Sequence, residues 1–60
     1  MLIKETENCY DVEAYVDELE DDTKVILFNL RGEEICFDKE QSIEVVKILQ
    51  HFIETGELPE

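Results

Sequence analysis

Positive charge is what this chain has least of. Five lysines and arginines and one histidine stand against 17 acidic residues, for a formal charge of −12 at neutral pH. A surface of that sign repels nucleic acid and anionic lipid, so direct binding to DNA, RNA or a charged membrane is disfavoured. Long apolar runs are missing too: none approaches the ~18 residues needed to cross a bilayer. The N-terminal Met1-Leu2-Ile3-Lys4-Glu5 has no basic region followed by an apolar stretch, so no signal peptide is expected and a cytoplasmic protein is. The two cysteines, Cys9 and Cys36, are spaced neither as a CxxC redox pair nor as half of a four-ligand zinc site. They read first as reduced thiols serving as small apolar residues, with a disulfide or a metal as the other readings.

Length removes further classes. Sixty residues make one domain, 1–60, and no barrel or doubly wound enzyme fold fits. At this size burial and ordering entropy nearly cancel, so a staple or a partner is expected. The charge does not imply disorder, because 43% of the residues are hydrophobic and gathered in periodic segments.

Catalytic and ligand-binding patterns are also lacking. The single histidine, His51, falls on a helix side with Glu44, Lys47 and Glu54, away from any paired nucleophile. Seventeen acids supply carboxylate pairs by chance alone, without the cleft that would give a pair work to do. A calcium loop starting at Asp17 would need Gly at its sixth position and Glu at its twelfth, where Asp22 and Phe28 stand. No glycine-rich phosphate loop exists. The expectation is therefore a protein with no catalytic residues, no metal and no cofactor.

What is present is patterned hydrophobicity. Asp38 with Gln41 three residues on forms a capping box, and Gly56 and Pro59 suit a helix end. Between them Val45, Val46, Ile48, Leu49, Phe52 and Ile53 recur at helical spacing. They span roughly 160° of the wheel, wider than an ordinary surface helix. A helix is expected over 39–55. Before it, KVILFNL (24–30) and EEICFD (33–38) flank Arg31-Gly32 as a hairpin. A two-residue turn sets Phe28 opposite Ile35 and Ile26 opposite Phe37. A type I turn with a bulge would instead flip one strand and expose Leu30. Residues 10–19 fit either a helix, through Val12, Tyr15, Val16 and Leu19, or a strand, through Tyr10, Val12, Ala14 and Val16. The strand is preferred because 24–30 is apolar on both sides, as a central strand would be. Residues 2–5 are available as a short edge strand. The fold expected is α+β: a three-stranded antiparallel meander with one C-terminal helix packed on one face. Its inner face would be Tyr10, Val12, Ala14, Val16, Ile26, Phe28, Leu30, Ile35 and Phe37.

The other sheet face then carries acids around an apolar middle, the pattern of a binding surface. Residues 5–22 hold nine acids and no base. The partner-binding candidates are Asp11, Glu13, Tyr15, Asp17, Glu18, Glu20, Asp21, Asp22, Leu27, Glu34 and Cys36. Same-face acids along a strand lie about 6.8 Å apart, close to phosphate spacing, so such a row can occupy a basic groove in place of nucleic acid. The stretch from Val25 to Asp38 followed by Lys39-Glu40-Gln41-Ser42-Ile43-Glu44 resembles the hairpin-then-helix unit of small acidic phage-encoded inhibitors, among them some anti-CRISPR proteins. That resemblance implies an inhibitor that blocks a nucleic-acid-binding site, and carries over no individual residue. The partner expected is a protein with a basic surface. The competing reading is a homodimeric or subunit-like domain whose charge serves solubility, joined through the helix arc or the stripe Tyr15, Val25, Leu27 and Cys36.

Overall fold

Two positive-φ residues set the register of the hairpin at the centre of the fold. Arg31 (φ 52°) and Gly32 (φ 92°) form the two-residue turn, the conformation whose twist matches that of the flanking strands. The Asn29 side chain accepts the Gly32 N–H at 3.0 Å and braces it. The computed structural model describes all of residues 1–60. It contains β1 (Leu2–Ile3), β2 (Val12–Glu18), β3 (Lys24–Leu30), β4 (Glu33–Phe37) and α1 (Lys39–Thr55). The strands form one antiparallel sheet in the order β1-β2-β3-β4. Phe28 lies opposite Ile35 and Ile26 opposite Phe37, the register that a two-residue turn requires.

The ambiguous first third is strand. Ala14 pairs with Phe28 and Val16 with Ile26, so Val12, Ala14 and Val16 join the inner face. The turn back into β3 closes through Leu19 N–H to the Thr23 carbonyl at 2.8 Å and Asp22 N–H to the Leu19 carbonyl at 3.0 Å. Asp22 takes φ 68°, a left-handed conformation that Asp tolerates better than most residues.

Three expectations need correction. The sheet has four strands rather than three, because Leu2 and Ile3 pair with Glu13 and Val12. Tyr10 is not an inner-face residue: it precedes β2 and is 61% exposed. Its ring lies 3.8 Å beneath the Arg31 guanidinium, a cation–π contact that ties the approach to β2 to the β3–β4 turn.

The third correction concerns the helix, which does not close over the sheet. Its N-terminus forms as the sequence implies. Asp38 Oδ1 accepts the Gln41 N–H at 2.8 Å, and Gln41 Oε1 accepts the Asp38 N–H at 3.3 Å. Its C-terminus stops at Gly56, φ 78°, whose N–H donates to the Phe52 carbonyl at 2.7 Å. But one residue, Asp38, separates β4 from α1. That residue is fixed by its cap, and no loop remains to carry the helix back across the strands. The only strand that α1 approaches closely is β4, and none of its residues is buried. Val25 is the sole buried residue in the chain. The inner face keeps some cohesion of its own, with Phe28 and Phe37 meeting edge to face at 6.1 Å.

Candidate interaction surface

Strand alternation distributes the acidic candidates. Glu13, Tyr15 and Asp17 project from β2 on the face that also carries Val25, Leu27, Glu34 and Cys36. Within this face the Tyr15 hydroxyl donates to a Glu34 carboxylate oxygen, crossing β3 and holding two of the candidates together. Leu27 is partly buried between them, and Cys36 is exposed. Val25 is 6% exposed, so one residue of the expected apolar stripe is already covered. Asp11 stands just before β2. Glu18 ends β2 on the opposite face, and Glu20, Asp21 and Asp22 form the β2–β3 turn.

Few of these charges are neutralised. The chain makes three ion pairs: the Met1 amino group with Glu13 at 3.2 Å, Lys24 with Glu18 at 2.8 Å, and Lys47 with Glu44 at 3.6 Å. Every other carboxylate has no basic partner. Between Asp17 and Asp22, four of the five acids are in that state. Two of the four instead hold backbone. Asp17 Oδ1 accepts the Glu18 N–H at 2.8 Å, and Asp21 Oδ1 accepts the Thr23 N–H at 3.1 Å. The Thr23 side chain and backbone, hydrogen-bonding to the carboxylate, lower the Asp21 pKa below its ordinary 3.8. Glu20 and Asp22 make no such side-chain bond and face water.

No three His, Cys, Asp or Glu side chains gather as a metal-holding cluster. The concavities are open grooves. Two of them are lined with apolar residues, one on α1 by Val46, Leu49 and Ile53, the other on the sheet by Val12, Phe28, Leu30 and Ile35. Both belong to residues that the sequence pattern assigns to a closed core. The sequence did hold the signal that they stay open: Asp38 directly follows strand residue Phe37 and is itself the helix cap. No helix of the chain is long and apolar enough to cross a membrane. Comparison with protein families, with curated proteins and with solved structures gives no match.

Proposed function

We propose that this chain is a non-catalytic interaction module that sets its acidic β2 face and β2–β3 turn against a basic protein surface. A surface that otherwise holds nucleic acid fits best, since a row of unpaired carboxylates presents the charge that such a groove binds. The carrying observation is the cluster from Asp17 to Asp22, where one acid of five has a basic partner. This is the action of an acidic inhibitor of the phage-encoded type that the hairpin and helix resemble. Free, exposed Cys9 and Cys36 suit a reducing compartment such as the cytoplasm.

The test removes charge without removing structure. Asp17 and Asp21 brace the turn, so the variant combines Asp11→Lys, Glu20→Lys and Asp22→Asn, the last because Asn also tolerates positive φ. The immobilised parent chain should capture basic nucleic-acid-binding proteins from a lysate at low salt, and added duplex DNA should compete. The triple variant should associate with the captured protein about 10-fold more slowly. Capture of neutral or acidic proteins alone, unchanged by the substitutions, would refute this reading. The second reading, a subunit-like domain, is favoured by one observation: large hydrophobic residues remain exposed along both α1 and the sheet.

A further inference from the structure

We propose that the chain forms a two-fold dimer by helix exchange, with the apolar arc of α1 in one copy seated on the inner sheet face of the other. The chain has far more surface than its mass allows. Its accessible area is 5505 Å², where a compact monomer of 7.1 kDa has about 4,100 Å². Its radius of gyration is 13.2 Å, where a compact 60-residue domain has roughly 10 Å. The excess is about 1,400 Å² per copy, and the exposed residues include Val16, Ile35, Val46, Leu49 and Phe52. If both copies bury that excess, the total falls among obligate homodimers, on the order of 2,000–5,000 Å².

Two complementary faces supply that area. On α1, Val46, Leu49 and Phe52 are 53–59% exposed. At about 100° per residue, every charged side chain of the helix falls outside the arc they define. On the sheet, Val16 and Ile35 are 61% and 59% exposed beside the partly buried Phe28. A 17-residue helix is about 25 Å long and a seven-residue strand about 23 Å, so each face matches the other in length. The occupant is a second copy because one chain cannot join its own two faces. Asp38 is the whole connection, and its reciprocal bonds with Gln41 fix the direction in which α1 leaves β4. A short, fixed hinge beside two unsatisfied faces is the arrangement that favours exchange between copies. Helix on sheet, repeated by the two-fold axis, satisfies both faces of both copies and closes the assembly.

Sedimentation equilibrium of the purified chain should give twice the chain mass at ~10 µM. Its melting temperature should rise with concentration, because folding and pairing are linked. In a sample mixing isotope-labelled and unlabelled chains, NMR contacts filtered to run between copies should join Phe52 to Ile35. Phe52→Glu should weaken pairing at least 10-fold. Because that variant can also unfold, a second variant inserts Gly-Ser-Gly-Ser between Asp38 and Lys39. The longer hinge should let α1 close on its own sheet, giving a folded monomer with retained helix content. A well-folded monomer of the parent chain would overturn the proposal. So would intermolecular contacts that run helix to helix or along the β4 edge, or a hinge variant that pairs with the parent's affinity.

Discussion

At the scale of single residues, the acids divide into those that hold the chain and those that only carry charge. Asp21 belongs to the first group. Hydrogen bonds from the Thr23 side chain and backbone favour its ionised form, which lowers its pKa in the folded state. The linkage has a definite sign. A depressed carboxyl pKa contributes stability above the unfolded value, near 3.8, and that contribution is lost as pH falls through the lower folded value. Thr23→Val removes the hydroxyl and leaves the backbone donor in place. The Asp21 carboxyl carbon, followed by NMR titration, should therefore move back toward 3.8 in that variant without reaching it. An unchanged titration curve would remove the side chain from the account. Asp22 shows the opposite case. Its backbone conformation matters to the turn, while its side chain is free to meet a partner.

At the scale of elements, the cap that starts α1 also sets its direction. Asp38→Ala removes the acceptor of the Gln41 N–H and leaves the bond from the backbone N–H of that position to Gln41 Oε1 in place, at a cost of about 1 kcal/mol. Chemical denaturation should show that loss, while helix content at low denaturant stays close to the parent's. A loss within error of zero would mean that pairing with β4, not the cap, fixes the start of the helix. The elements themselves were legible in the sequence. Spacing left residues 10–19 open between helix and strand, and the doubly apolar run of β3, which as a central strand needs a neighbour, decided for β2; Arg31-Gly32 pointed to the hairpin register and capping signals bounded α1. The packing was harder to read. Periodicity says which side of an element is apolar, but not what lies against it. Val46, Leu49 and Phe52 have the pattern of core residues and stand exposed because the connection through Asp38 is too short. The Tyr10–Arg31 stack was hidden for another reason: alternation extends the strand to Tyr10, although β2 begins at Val12. The acidic surface was legible almost entirely, since unpaired charge follows from counting acids against bases.

At the scale of the whole molecule, the two proposed associations should depend on salt in opposite ways. Each copy carries a formal charge of −12, so bringing two copies together costs Coulomb repulsion. The apolar contact has no charge of its own to screen. Raising salt shortens the reach of the repulsion and leaves the hydrophobic contribution in place. Binding to a basic protein runs the other way, because there the charge is the attraction. Between about 20 mM and about 500 mM salt the Debye length falls from roughly 20 Å to roughly 4 Å. Over that range the dimer dissociation constant, measured by sedimentation, should fall several-fold. The dissociation constant for a captured basic partner should rise by about 10-fold or more, chiefly through slower association. The triple charge variant should flatten both slopes, because it removes repulsion between copies and attraction to the partner together. The hinge insertion should abolish the first slope and leave the second intact, since it changes no charge. If both constants moved in the same direction with salt, a single surface would have to serve both contacts, and the separation of an acidic β2 face from an apolar helix-and-sheet face would fail.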